Sequence, residues 1–140
     1  MKKIILYITT LTFFGCSTST DSNGNSTTII IPIPPTNLSG QVVSNTQINL
    51  SWIDNSTNEL GFKIERKSGA GVFAEIGNVN ANTINFNDVG LSPNTSYTYR
   101  IYAFNTVGNS PIYSNEVTLN TSSQTGSSLI TTTNLSGITS

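Results

Sequence analysis

The chain contains no histidine and a single cysteine, Cys16. Without histidine it can form no Ser-His-Asp triad, no histidine-ligated zinc site and no histidine general base. One cysteine also excludes an internal disulfide. Only 9% of the 140 residues are charged, and the formal net charge is -1. We therefore expect no nucleic-acid partner, because proteins that bind nucleic acids carry an excess of basic side chains.

The sequence also lacks an apolar run long enough to cross a membrane. The run Ile4–Phe14 follows Lys2 and Lys3, and it is well short of the roughly 20 residues that a spanning helix needs. A short positive segment followed by a short apolar one is typical of a secretory signal peptide. We assign that role to residues 1–15.

The end of this run, Phe13-Phe14-Gly15-Cys16, resembles a bacterial lipobox, where the cysteine sulfur is diacylated and the cysteine becomes the new N-terminus. Gly15 and Cys16 fit the lipobox, whereas Phe13 stands where leucine is usual. The alternative is a soluble secreted protein with a free thiol. The resemblance implies covalent lipid on Cys16, no other cofactor, and a membrane-anchored place in the bacterial cell envelope, exposed at its surface.

The segment that begins at the cysteine, residues 16–33, is rich in Ser, Thr and Asn and has no apolar period. We predict a flexible tether, particularly over Ser17–Thr28. The prolines of Ile29–Pro35 favour extended geometry, so this part should lie along the first strand of a domain.

From Thr36 the chain reads as short stretches of alternating apolar and polar residues, separated by Gly, Pro, Asn and Asp. This spacing, with no helical period, predicts an antiparallel β-sandwich. The predicted strands are A Leu38–Val43, B Ile48–Ile53, C Phe62–Glu65, C′ Val72–Val79, E around Ile84 and Phe86, F Tyr97–Phe104 and G Tyr113–Thr121. In strands B and F, Trp52, Tyr97, Tyr99, Ile101 and Ala103 should face the core.

Two segments resemble a fibronectin type III domain: Trp52–Arg66 (WIDNSTNELGFKIER) and Gly90–Asn105 (GLSPNTSYTYRIYAFN). Leu91-x-Pro93 with Tyr97 is similar to the tyrosine corner, in which the tyrosine hydroxyl bonds to backbone just upstream. The resemblance covers residues 34–121. It implies an all-β fold, a seven-stranded antiparallel Greek-key sandwich of the immunoglobulin-like type.

The predicted B–C loop places four oxygen-bearing side chains together, Asp54, Asn55, Asn58 and Glu59. Calcium prefers oxygen ligands. The spacing matches no known calcium loop, however, and Asx residues in turns commonly bond their own backbone. We therefore assign no metal site and no catalytic residue.

The F strand and the F–G loop carry the best candidate for a binding surface: Tyr102, Phe104, Val107, Asn109 and Tyr113. Tyr102 and Phe104 have the parity that faces solvent and could form an exposed aromatic patch. The alternative is that they cover a neighbouring strand. Glu65 and Arg100 should form an outward pair across strands C and F.

The tail repeats part of the first strand. Thr36–Gly40 (TNLSG) recurs as Thr133–Gly137, an offset of 133 − 36 = 97 residues. A repeat at about one domain length predicts a tandem array, with residues 122–140 a linker or tail that begins a second copy. The chain is then interpreted as a surface lipoprotein with a spacer or weak protein- or glycan-binding domain. The alternative is the N-terminal accessory part of a longer exported enzyme, such as a polysaccharide hydrolase.

Overall fold

The alternation in the sequence becomes strands throughout the domain. The computed structural model describes residues 16–20, 23–24 and 26–123. The strands are β1 Cys16–Thr20, β2 Ser26–Ile30, β3 Thr36–Val42, β4 Gln47–Ile53, β5 Gly61–Ser68, β6 Ala74–Asn80, β7 Asn85–Val89, β8 Ser96–Phe104 and β9 Val117–Asn120. The leader and the repeated segment of the tail lie outside the described residues.

Seven of these described strands, β3 to β9, form two antiparallel sheets. The three-stranded sheet has the order β3-β4-β7, and the four-stranded sheet has the order β6-β5-β8-β9. Strands β3, β4, β5, β6, β7, β8 and β9 correspond to the predicted strands A, B, C, C′, E, F and G. The antiparallel Greek-key sandwich expected from the sequence is confirmed.

The core lies between the two sheets and is built from the inward side of each strand. Ile48, Leu50 and Trp52 are buried at every second position of β4. The Trp52 ring meets the Phe62 ring edge-on, with centroids 5.6 Å apart. The inward residues of β8 are buried as predicted; they are Tyr97, Tyr99, Ile101 and Ala103.

The turn before β8 closes the bottom of the sandwich. Leu91 is buried there, and Gly90 has φ +75°, a left-handed conformation that glycine adopts without a steric cost. The Ser92 N–H donates a hydrogen bond of 3.0 Å to the Tyr97 hydroxyl oxygen. The predicted tyrosine corner is therefore confirmed.

Strand β9 is shorter than the predicted strand G, Tyr113–Thr121. Upstream of Val117, two serines replace the missing strand by bonding β8 with both backbone and side chain. Ser114 donates its N–H to the Ile101 carbonyl at 2.8 Å, and its hydroxyl accepts the Ile101 N–H at 3.0 Å. Ser110 bonds Ala103 in the same way, at 2.8 Å and 3.2 Å.

Two other strand ends were misplaced. Strand β6 begins at Ala74 and not at Val72, which is 87% exposed. Ile84 precedes β7 and is exposed, while its carbonyl accepts the Trp52 N–H at 3.1 Å. Alternation alone did not locate these ends, because both residues lie beside turns whose conformation the pattern does not encode.

The segment expected to be a flexible tether contains a hairpin. Strands β1 and β2 pair antiparallel, with Cys16 opposite Ile30. The connection between them includes Asn23 and Gly24, residue types common in turns because both tolerate positive φ, and Gly24 has φ +77°. Threonine has high β propensity. The prediction of a flexible tether considered the low sequence complexity but neither the turn residues nor the threonines.

Candidate binding surface

Of the predicted surface residues, Tyr102 and Phe104 lie on the outer face of the four-stranded sheet, where β5 and β8 pair. In this register Lys63 is opposite Tyr102, and Glu65 is opposite Arg100. All four side chains share the face that points away from the core, because successive residues of a strand point to opposite sides. The sequence correctly predicted this parity.

Arg100 occupies the centre of this face. Its Nε donates to Glu65 Oε2 at 2.7 Å, so the predicted cross-strand pair is confirmed. The guanidinium carbon lies 3.7 Å from the Tyr113 ring centroid and 4.0 Å from that of Phe73. A guanidinium between two rings is held by cation–π attraction on its faces and by the carboxylate at its edge.

Tyr102 is only 8% exposed, so the predicted open aromatic patch is not what the structure has. The Tyr113 ring meets it edge-on, with centroids 5.2 Å apart. Lys63 Nζ lies 5.8 Å from the Tyr102 centroid and 5.4 Å from that of Phe104. Burial raises the pKa of Tyr102, while the charge of Lys63 opposes that rise. Tyr102 is therefore covered by its neighbours and is not open to a partner.

The F–G loop extends this surface at one end. The Asn105 side-chain oxygen accepts the N–H groups of Val107 and Gly108, at 2.9 and 3.1 Å, which fixes the turn. Asn109 bridges back to Phe104. Val107 and Asn109 are exposed, as is Tyr113 at 39%. What remains open to a partner is therefore the loop and the edge of Tyr113.

Phe73 was not identified from the sequence as part of this surface, although it is one of the two rings that contact the Arg100 guanidinium. It also lies beneath Lys67, whose Nζ is 4.6 Å from the ring centroid. Phe73 precedes β6 in an irregular connection, so parity could not assign its direction. The aromatic type itself, next to the Gly69–Gly71 turn, was the only available signal.

A polar cluster inside the sandwich was missed as well. The Tyr99 hydroxyl donates to Asp88 Oδ2 at 2.8 Å, and Arg66 Nη1 donates to both Asp88 oxygens at 2.8 and 2.7 Å. Burial and the Asp88 carboxylate raise the pKa of Tyr99 above its ordinary value. Arg66 and Asp88 occupy inward-facing positions of their strands, and this alternation could have predicted the cluster. Because Asp88 and Tyr99 are buried, we interpret the cluster as structural.

The B–C loop divides its four candidate ligands into two pairs. Asn55 donates to the Pro34 carbonyl at 3.0 Å, and Asn58 donates to the Ile30 carbonyl at 3.1 Å. Asp54 Oδ1 accepts the Ser56 N–H at 2.9 Å, and Glu59 Oε1 accepts the Asn82 N–H at 3.3 Å. The two amides thus hold the N-terminal segment, and the two carboxylates stay in the loop.

The outer face of the three-stranded sheet has a different chemistry. A shallow, open depression of about 410 Å³ lies there. It is lined by Ser39, Gly40, Gln41, Asn49, Leu50, Ser51, Asn85 and Asn87. The lining carries no formal charge, and its amides and hydroxyls suit neutral, hydrogen-bonding ligands.

Among the described residues, no helix is long and apolar enough to span a membrane. The same residues contain no group of three or more His, Cys, Asp or Glu side chains placed to hold a metal ion.

Comparison with solved structures finds the same sandwich in modular proteins. The fn3 domain of human contactin 1 superposes with a TM-score of 0.63 at 20% identity, covering 70% of this chain and 85% of that one. The chicken CNTN1 FN1-FN3 domains give 0.59 at 25% identity, covering 66% of this chain and 32% of theirs. This chain thus spans about a third of the chicken fragment.

The FN5 domain of Drosophila Lar gives a TM-score of 0.54 at 22% identity, covering 65% of this chain and 97% of that domain. No curated protein sequence matches the chain. The family model for the fibronectin type III domain matches residues 33–120, more than half of the sequence. The chain therefore belongs to the fibronectin type III family.

Proposed function

We propose that the chain is a surface lipoprotein, anchored to a membrane of the bacterial cell envelope, whose fibronectin type III domain is a spacer or a weak protein- or glycan-binding module. The observation that carries the spacer role is where the chain enters and leaves the domain. It enters at Ile30, beside the B–C and F–G loops, and leaves at Ser122, which is bonded to Asn94 beside the E–F corner. These two points lie at opposite poles of the sandwich.

Support for the anchor comes from the sequence, where Gly15-Cys16 closes the apolar leader. Each buried CH₂ of an acyl chain contributes about 0.8 kcal/mol to membrane binding, so two or three chains hold a protein firmly. The domain would then stand on the membrane by its N-terminal pole.

Support for weak binding comes from how little of the aromatic surface is open. Arg100 already has its rings and its carboxylate, which leaves Val107, Asn109 and the edge of Tyr113 for a protein partner. The neutral depression on the other sheet suits glycan hydroxyl groups. Both are small areas, and small interfaces are typical of transient contacts.

We propose no catalytic role for the domain. Domains of this family are generally non-catalytic modules, and the sequence contains no histidine to serve as a general base. In the polar cluster around Asp88, the Asp88 carboxylate and Tyr99 are buried, so they present no group to a substrate.

The second candidate function is an accessory part of a longer exported enzyme, such as a polysaccharide hydrolase. One observation favours it: the recurrence of Thr36–Gly40 at Thr133–Gly137, which is what the start of another domain would look like. An uninterrupted reading frame beyond Ser140 that encodes a catalytic domain would support this alternative over the first.

The anchor is tested by expressing the full chain in bacteria supplied with labelled palmitate. We expect the label in the protein and the protein in the membrane fraction, and we expect Cys16→Ser to abolish both. The matched control returns the thiol three residues later, as Cys16→Ser with Ser19→Cys, and should stay unlabelled because the lipobox is position-specific. An unlabelled wild-type protein would refute the proposal.

A further inference from the structure

The outer face of the three-stranded sheet differs in its chemistry from the rest of the domain. Of the charged residues that the structure describes, Asp88 is the one that belongs to β3, β4 or β7, and it points into the core. The others lie in the four-stranded sheet or in loops. The two aromatic rings of these three strands, Trp52 and Phe86, also pack on the inner side. Within the described residues, this outer face therefore presents amides, hydroxyls and a few aliphatic side chains.

The pairing of the strands arranges six polar side chains in two rows that cross this face. We call them the amide band: Ser39, Ser51 and Asn85 in one row, and Gln41, Asn49 and Asn87 in the other. Neighbouring strands lie about 4.8 Å apart, so each row spans about 10 Å. That span is close to the length of two sugar residues in an extended polysaccharide. All six side chains line the open depression of about 410 Å³.

The amide band is fixed at its centre and free at its flanks. On the central strand, Asn49 Oδ1 accepts a hydrogen bond of 2.8 Å from the Gln47 side chain. Three flanking amides are exposed and make no hydrogen bond among the described residues; they are Gln41, Asn85 and Asn87. Each of these amides offers two N–H donors and one carbonyl acceptor. A sugar hydroxyl, which both donates and accepts, can use either kind of group.

Aliphatic side chains border the amide band at both ends of the strands. Val89, opposite Gln47, is exposed beyond one row, and Ile53, opposite Thr36, is exposed beyond the other. A sugar ring carries C–H groups as well as hydroxyls. A chain of sugars on the band would therefore meet donors and acceptors along its middle and apolar surface where its rings overhang the rows.

We propose that the amide band binds a neutral polysaccharide, whose chain lies along the two rows and crosses the three strands. This inference specifies the glycan-binding role proposed above and rests on it. A charged polysaccharide finds no opposite charge on the described residues of this face. A protein partner finds none of the aromatic and arginine anchors that are typical of interface centres.

The binding should be weak and tolerant of the sugar. Because the face has no ring on which a sugar could stack, hydrogen bonds with a small net gain hold the ligand, and Kd should be about 1 mM. Side-chain amides that meet hydroxyl groups in this way discriminate little among neutral sugars. Many copies of the protein on one membrane would hold a single polysaccharide at several points, which raises the overall affinity without any new contact.

The test titrates the full chain, kept in solution by a phosphocholine detergent that contains no sugar, with xylohexaose, maltohexaose and mannohexaose. Because little discrimination among neutral sugars is expected, these three represent the class. We expect at least one of them to shift the side-chain amide NMR signals of Gln41, Asn85 and Asn87, with a Kd of about 1 mM. Hexagalacturonate, which is acidic, should shift none of them.

Asn87→Ala should weaken binding by about 3–10-fold, and the double change Asn85→Ala with Asn87→Ala should abolish it. Asn78→Ala is the matched control, because Asn78 is an exposed amide opposite Lys63 on the outer face of the other sheet. It should bind like wild type.

The inference is wrong if no neutral hexasaccharide shifts these signals at about ten times the expected Kd. Binding of hexagalacturonate, or binding that survives the double change, also overturns it. The palmitate experiment tests the anchor separately. A protein that takes up the label and binds no hexasaccharide would therefore refute this inference and leave the lipoprotein assignment in place.

Discussion

At the scale of single residues, one hydroxyl group closes the E–F corner. The Tyr97 oxygen accepts the Ser92 N–H at 3.0 Å, so Tyr97→Phe keeps the ring and leaves that N–H unpaired. We expect a loss of about 1–3 kcal/mol in the free energy of unfolding. Urea denaturation measures it.

Tyr102→Phe is the control for that change. Among the described residues the Tyr102 hydroxyl makes no hydrogen bond, and its ring stays packed on Tyr113. Removing the hydroxyl should therefore cost within about 0.5 kcal/mol. A larger loss at Tyr102 than at Tyr97 would contradict the register of β8.

The buried Asp88 carboxylate is the second residue whose removal should be severe. Asp88→Ala leaves the Tyr99 hydroxyl and the Arg66 guanidinium without their partner. Breaking a buried pair typically costs about 3–5 kcal/mol. Because the Arg66 side chain is 28% exposed, water can solvate it in part, and we expect the lower end of that range by calorimetry.

Glu116→Ala provides the comparison for a surface ion pair. Glu116 is half exposed and lies 3.9 Å from Lys67, and such pairs contribute about 0–1 kcal/mol. Similar losses for Asp88→Ala and Glu116→Ala would mean that water replaces the Asp88 contacts in the core.

At the scale of elements, the last strand is partly built from serine side chains. Ser110 and Ser114 each supply a hydroxyl acceptor to an N–H of β8. Changing either serine to alanine should destabilise the domain by about 1–2 kcal/mol and speed hydrogen exchange at the matching amide, Ala103 or Ile101.

Ser39→Ala is the matched change on an exposed sheet face, where the hydroxyl pairs with that of Ser51 at 3.0 Å and donates to the Ser51 carbonyl at 3.4 Å. It should lie within about 0.5 kcal/mol of wild type. If the three variants were equally stable, the irregular part of strand G would not depend on its side chains.

The same strand shows what the sequence could and could not predict. Period-two alternation located β4, β5 and β8 and the inward faces of Trp52 and Tyr97, because one buried face imposes that period. It could not locate the start of β9, where Ser114 bonds through its side chain. It also gave Tyr102 the correct outward face. It did not predict that the ring is covered, because Lys63 reaches it from β5 and Tyr113 from the irregular segment before β9.

At the scale of the whole molecule, the domain is self-contained. The hairpin meets the domain at Ile30. The Ile30 carbonyl accepts hydrogen bonds from the side chains of Asn58, at 3.1 Å, and Asn105, at 3.0 Å. A fragment of residues 31–123 should therefore fold alone, with a β-type circular dichroism spectrum and cooperative melting. Its melting temperature should lie within about 4–8 °C of the longer protein, the equivalent of roughly 1 kcal/mol. A fragment that does not melt cooperatively would show that the hairpin belongs to the folding unit.

The hydrogen bonds that hold the Ile30 carbonyl also determine how a lipid-anchored domain would be oriented on a membrane. Cys16 pairs with Ile30 across the hairpin. A lipid on Cys16 would therefore be attached close to the B–C and F–G loops and not at the end of an extended tether. Val107 and Asn109 would then face the headgroups, so a protein partner of the F–G loop would bind close to the membrane surface. The faces of both sheets would remain accessible from the sides. The E–F corner, where the chain leaves the domain, would point away from the membrane.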